Sequence, residues 1–207
     1  MIVEDGIVAG NVYDKYNTKN PIAAFLMKRF LANVEELVRM TQAREVHEVG
    51  CGEGQLSIFL CKEGRRIRGS DFSSHVIEKA RTSAREKKCD IEFKVSSIED
   101  LQPERDAAPL IICCEVLEHL PDPEEALRKL VMLAKPYLLV SVPREPIWRC
   151  LNMVRGKYLS DFGNTPGHLQ HWSSQSFLNF LSTQTKVLTF RKPLPWTMAL
   201  CQAPCPI

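Results

Sequence analysis

Apolar residues recur along the chain at two spacings. Over 22–39, Ile22, Phe25, Leu26, Phe30, Val34, Leu37 and Val38 share one face of a 3.6-residue repeat, which predicts an amphipathic helix. After it, short apolar runs alternate with helical segments. Strands are predicted at 45–49, 66–69, 91–95, 109–114 and 137–142, and helices at 55–62, 76–88 and 123–134. The last of these helices has a clear start, with Asp122 as N-cap, Pro123 at the first position and Glu125 at the third. The strand runs 109–114 and 137–142 are apolar at nearly every position, as expected for strands covered on both faces.

Residues 144–172 break the rhythm with Pro146, Gly156, Gly163, Pro166 and Gly167, and predict an insertion holding one short helix near 146–155. Ser173 then caps a helix at 175–181, and strands follow at 186–191 and 196–202. Residues 1–20 read as polar and irregular; together with 21–40 they are expected to form a lid and a helix. The whole of 1–207 is expected to be a single domain. Alternating strands and helices predict a doubly wound, mostly parallel α/β sheet with helices on both faces. Ligands in such sheets bind at the carboxyl ends of the central strands. The loops after Val49, Gly69, Val95, Cys114 and Val142 are therefore the places to search.

Composition narrows the function classes. With 27 basic and 25 acidic residues among 207, the chain offers no overall charge for nucleic acid. No apolar stretch approaches the roughly 18 residues of a membrane span, and the first 20 residues lack the apolar core of a secretory signal. A cytoplasmic protein is expected. The eight cysteines include no CxxC pair, and Cys113 and Cys114 are neighbours that a strand points to opposite faces. Reduced thiols are expected rather than a zinc site or a disulfide framework.

The first strand runs into Glu48-Val49-Gly50-Cys51-Gly52-Glu53-Gly54. Glycines there let the backbone turn sharply and approach a ligand. The spacing is G-x-G-x-G, neither the dinucleotide fingerprint nor a P-loop. Asp71 follows Gly50 by 21 residues, just past the second strand, where an acid can accept from both hydroxyls of a ribose.

These residues, with SDFS at 70–73, SSIEDL at 96–101 and IICCEVLEHLPDPEEAL at 111–127, resemble the class I S-adenosylmethionine-dependent methyltransferases, including ubiquinone-pathway and other small-molecule methylases. The resemblance implies a Rossmann-like, seven-stranded sheet and S-adenosyl-L-methionine as cofactor. It implies that Glu48, Gly50, Cys51, Gly52 and Gly54 hold the methionine part, that Asp71 binds the ribose, and that Phe72 packs on the adenine. Ser97 and Ile98 would border the adenine edge; the family often has Asp where this chain has Ser97. Cys114 and Glu115 would stand beside the methionine end, with Tyr16 closing over it.

Methyl transfer mainly needs alignment of acceptor and donor, plus a base if the acceptor is a hydroxyl. His119, after the fourth strand, is the first candidate base, and His168 and His171 at the end of the insertion are the others. His47 reads as a core residue and His75 as a surface helix residue. The expected activity is methyl transfer to a small-molecule acceptor, most simply at oxygen. One alternative is a metal-assisted hydroxyl methylase acting on an RNA 3′ end or a diol, with Glu115, Glu118, His119 and either His168 or His171 as ligands. Another is a cofactor-binding partner subunit without catalysis, which the intact glycine loop and Asp71 weigh against.

Overall fold

The computed structural model describes residues 2–4, 7–9, 16, 18–61 and 64–204. Strands β1 (Ile2–Glu4) and β2 (Ile7–Ala9) form a small antiparallel pair in a segment expected to be irregular. The sequence signal for it is Asp5-Gly6 between two apolar pairs, a hairpin pattern. Most of the expected lid between residues 10 and 17, and Cys205, lie outside the described residues.

Helix α1 (Pro21–Thr41) opens on Asn20, whose side chain accepts from the amides of Ile22 and Ala23 at 3.0 and 3.2 Å. There follow β3 (Glu45–Val49), α2 (Gln55–Cys61), β4 (Arg66–Asp71), α3 (Ser74–Glu86), β5 (Ile91–Val95) and a four-residue helix α4 (Pro103–Asp106). Then come β6 (Ala108–Cys114), a 3₁₀ turn at Leu117–His119, α5 (Pro123–Leu133) and β7 (Ala134–Pro143). The chain ends with α6 (Ile147–Val154), α7 (Ser174–Ser182), β8 (Lys186–Arg191) and β9 (Trp196–Gln202). Asp122 and Ser173 cap α5 and α7 as expected, accepting from the amides of Glu125 and Ser176.

Seven strands form one sheet in the order β5-β4-β3-β6-β7-β9-β8, parallel except for β9, which runs antiparallel to both neighbours. The chain winds outward from β3 to β5, then returns to lay β6 on the other side of β3. The two loops leaving β3 and β6 therefore diverge and open a crevice at their carboxyl ends. Alternation along β6 sends Leu110 and Ile112 to the layer of α1 and α2, and Ile111 and Cys113 to the layer of α5 and α7. That two-sided burial explains the unbroken apolar runs. The strand expected at 137–142 runs instead from Ala134 to Pro143, and Pro143 lies opposite Trp196 on β9. Proline cannot donate to the ladder, so it suits a strand end.

No helix among the described residues is long and apolar enough to cross a membrane. The seven described cysteines are free thiols, and Cys113 and Cys114 do face opposite layers.

Candidate active site

The crevice between the β3 and β6 loops holds a cavity of about 550 Å³. That is within the size range of pockets for small ligands. Its floor is the glycine loop. Gly50, Gly52 and Gly54 all have positive φ, at 74°, 52° and 74°. The amides of Gly50 and Cys51 both donate to the Ser70 carbonyl, at 2.8 and 2.9 Å. The Asp71 carboxylate, buried at the end of β4, accepts from the Gly52 amide at 2.9 Å and from the Ser73 amide at 3.1 Å. Through these two bonds Asp71 braces the loop at the cavity wall.

Eleven of the twelve residues expected at a cofactor line the cavity: Tyr16, Glu48, Gly50, Cys51, Gly52, Asp71, Phe72, Ser97, Ile98, Cys114 and Glu115. Gly54 does not. Its place in the loop is a packing requirement, because a Cβ there would stand 2.8 Å from Phe93 Cζ and 3.0 Å from Ala80 Cβ. The cavity also takes in Gln55, Glu99, Asp100, Val116 and Leu120, which the sequence did not single out.

Carboxylates dominate its electrostatics. Glu48 is buried and accepts from the Ser57 hydroxyl. Glu115 has φ 61°, uncommon for a residue with a side chain, and three bonds hold it there. Its amide donates to the Ser141 carbonyl at 3.0 Å, and its two carboxylate oxygens accept from Ser141 Oγ at 3.0 Å and Trp196 Nε1 at 2.6 Å. Burial, with Glu48, Cys114 and Glu115 nearby, pushes the Tyr16 phenol well above its ordinary range. Burial and then Glu48 and Asp71 do the same to the Cys51 thiol. A cavity walled by acids and neutral phenol and thiol suits a ligand carrying positive charge.

At the β6 side stands His119, half-buried and lining the cavity. Its Nδ1 lies 2.9 Å from the Gly167 carbonyl. A carbonyl only accepts, so Nδ1 carries the proton and Nε2 the lone pair in the neutral ring. The insertion is fastened here: the amides of Leu169 and Gln170 donate to the Glu118 carbonyl at 2.8 and 3.0 Å, and Gln170 Nε2 to the Leu120 carbonyl at 3.0 Å. These bonds bring buried His168 edge-on to His119, with ring centroids 4.9 Å apart, and stack it on Trp148.

His171 does not join them. It is exposed, and its Nε2 bonds Asn164 Oδ1 at 2.8 Å, which makes it a loop anchor. Glu115 likewise leaves the expected four-ligand set, since its carboxylate is taken up by Ser141 and Trp196. Glu118, only 1% exposed, remains with His119 and His168; one ligand atom from each falls within 4.8 Å of the others. His47 is a core residue and His75 an exposed helix residue, as expected. Trp196 gave no local signal: it meets Glu115 only because β9 inserts beside β7.

The topology and the crevice define a Rossmann-like α/β protein of the methyltransferase type. The chain matches the methyltransferase domain family over residues 46–137. It is 30% identical over 157 residues to a ubiquinone biosynthesis O-methyltransferase of Xanthomonas campestris pv. campestris, covering 74% of this chain and 65% of the relative. It is 33% identical over 106 residues to the protein so named in Coxiella burnetii, covering 51% of this chain and 45% of that relative. The chain thus spans less than two thirds of the curated relatives it matches. The magnesium protoporphyrin IX methyltransferase of Synechocystis, with bound S-adenosylhomocysteine, has the same fold: TM-score 0.70, 18% identity, 90% of this chain and 89% of that one. In sequence and in fold the chain is thus similar to the class I S-adenosylmethionine-dependent methyltransferases.

Proposed function

We propose that the chain transfers a methyl group from S-adenosylmethionine to a hydroxyl of a small-molecule acceptor. The observation that carries this is the cavity itself, in which an Asp71-braced glycine loop, buried acids and a tautomer-fixed His119 meet at the switch point of the sheet. The cofactor, when bound, supplies an activated methyl group on a cationic sulfonium. Glu48 and the loop backbone at Gly50–Gly52 would hold its methionine part, and Asp71 its ribose hydroxyls. Phe72 and Ile98 would pack on the adenine. Tyr16, Cys114 and Glu115 would surround the charged end with acceptors and neutral groups. His119 would take the acceptor's proton at Nε2 while the Gly167 carbonyl steadies the ring. A positioned base of this kind contributes about 10²- to 10⁴-fold. The names of the curated relatives support oxygen as the methyl acceptor.

The test is calorimetry followed by an acceptor screen. S-adenosylhomocysteine should bind at micromolar level and lose at least ~10-fold on Asp71→Ala, a loss worth about 1.4 kcal/mol. His119→Ala should leave that affinity within about 3-fold and lower turnover by ~100-fold or more. Undiminished binding in Asp71→Ala would refute the cofactor reading, and undiminished turnover in His119→Ala would refute the base.

A second reading rests on Glu118, His119 and His168. Two imidazoles and a carboxylate form a plausible divalent-ion set, and the Gly167 carbonyl gives His119 the outer partner that metal-bound histidines have. Ligands about 2.1 Å from an ion stand roughly 3.4 Å apart in a tetrahedron, so the 4.8 Å spread needs modest closure. In this reading His119 binds the ion through Nε2 and is not the base. Nitrogen ligands favour Mn²⁺, Zn²⁺ or Co²⁺ over Mg²⁺. Cobalt titration would give a visible absorption band that Glu118→Gln abolishes. No band, with full activity in excess EDTA, would refute it.

A further inference from the structure

Two half-buried thiols that do not line the cavity come together behind the glycine loop. Cys61 is the last residue of α2, the helix that leaves that loop. Cys89 lies 28 residues further on, between α3 and β5. The end of α3 aims it. Lys88 takes φ 55°, its amide donates to the Arg85 carbonyl at 3.0 Å, and the Cys89 amide donates to the Ala84 carbonyl at 2.9 Å. This is a Schellman turn, which folds the residue after the left-handed position back onto its helix.

The turn carries the Cys89 sulfur to 3.9 Å from the Ile58 carbonyl, one helical turn before Cys61 on α2. There the thiols of Cys61 and Cys89 hydrogen-bond to each other, and the Asp90 amide donates to the Cys61 sulfur. Ile91 packs into both of the apolar clusters that the two cysteines border. Both ends of the contact support the loop. The Ile58 amide donates to the Gly54 carbonyl at 2.9 Å, and Phe93 on β5 fills the space beside Gly54.

We propose that Cys61 and Cys89 form a reversible disulfide that ties the end of α2 to the start of β5. The proposal needs no assumption about the cofactor. The oxidant is a small-molecule disulfide. The thiolate of one cysteine attacks it and releases one small thiol; the thiolate of the other then displaces the second. Two S–H bonds of the protein are broken and one S–S bond is formed. Two electrons and two protons pass to the small disulfide, which leaves as two thiols. Burial, and then the neighbouring Cys89, push the Cys61 thiol above its ordinary range. Little of it is thiolate at neutral pH, so exchange is slow. That suits a pair that follows the ambient redox balance rather than one that senses bursts of peroxide. A bridge across this span removes conformational freedom from the unfolded chain, so the oxidised form is the more stable one.

The experiment equilibrates the whole chain with mixtures of reduced and oxidised glutathione. Acid stops the exchange, maleimide blocks the remaining thiols, and peptides are mapped by mass. A linked pair of peptides carrying Cys61 and Cys89, two hydrogens lighter than the separate peptides, should be the main linkage and should vanish on reduction. Tm should rise by at least about 5 °C on oxidation and fall back with dithiothreitol. Cys61→Ala and Cys89→Ala should each lose that rise, whereas Cys150→Ala, at an exposed thiol, should keep it. Circular dichroism under reducing conditions checks that the variants fold. If one does not fold, mapping of the wild-type protein decides alone. Cys61 and Cys89 blocked by maleimide in the most oxidising mixture, carrying only glutathione, or linked mainly to other cysteines would overturn the proposal.

Discussion

Gly52 and Gly54 sit two residues apart in one loop, both at positive φ, and should fail for different reasons when replaced by alanine. At Gly54 the new methyl would meet Phe93 Cζ at 2.8 Å and Ala80 Cβ at 3.0 Å. Left-handed backbone costs an L residue about 1–2 kcal/mol, and overpacking a filled core adds roughly 1–3 kcal/mol. The expected loss is about 2–5 kcal/mol. For a chain of this size each kcal/mol moves Tm by about 2–4 °C, so Tm should drop by roughly 10 °C. At Gly52 a Cβ meets nothing within 4 Å. Only the backbone cost remains, about 1–2 kcal/mol, or a few degrees. Gly52 lines the cavity, however, and its amide is the one Asp71 holds. Ligand affinity should therefore fall by ~10-fold or more in Gly52→Ala and by less than about 3-fold in Gly54→Ala. Thermal scans and titration with S-adenosylhomocysteine on both variants decide this. Equal losses of stability in the two, or weak binding by a Gly54→Ala protein of unchanged Tm, would refute the assignment of one glycine to packing and the other to the cavity.

Asp71→Asn tests the brace. An amide cannot accept at both ends, so one of the Gly52 and Ser73 amides would face a donor, at a cost of about 1–3 kcal/mol, and urea unfolding should show it. An unchanged urea midpoint would mean that the loop does not depend on this carboxylate. The buried His47 predicts a pH dependence. Burial lowers its pKa below the ordinary value, so the unfolded chain binds this proton more readily than the native one. The native advantage is complete above about pH 6.5 and declines as pH falls below it, by up to about 1.4 kcal/mol per pH unit. His47→Gln should flatten that part of the profile, and an unaltered slope between pH 7 and 5 would exclude His47 as its source.

Local sequence carried the elements well. The capping residues Asp122 and Ser173 act within a few residues of themselves, so their effect is visible without a fold. The same holds for the glycine loop, whose turn geometry needs positive φ at fixed positions. The four-residue helix at Pro103–Asp106 and the pair formed by β1 and β2 were missed, being too short to show a period. At the site, the motif positions were legible but not the directions of their side chains. Glu115, Glu118 and His119 read as one run, yet Glu115 turns to Trp196, 81 residues away, and Glu118 stays with His168. Of two histidines three residues apart, only His168 packs against His119, because the bonds at Glu118 and Leu120 hold that end of the insertion.

By itself the sequence determined what depends on neighbours along the chain: apolar periodicity, helix starts, the turn at Gly50–Gly54 and the acid that follows it. Periodicity and capping are set by interactions over a few residues, and they survive in any fold that buries the apolar faces. Only the tertiary structure decided what depends on strands far apart in sequence. It placed β9 between β7 and β8, and so supplied Trp196 to Glu115. It pressed the insertion onto Leu117–His119 and fixed the His119 tautomer through the Gly167 carbonyl. It also gave the Ser97 proton to Asp100. The chemistry of a hydrogen-bonding side chain depends on which partner takes its proton, and spacing along a chain does not specify that partner.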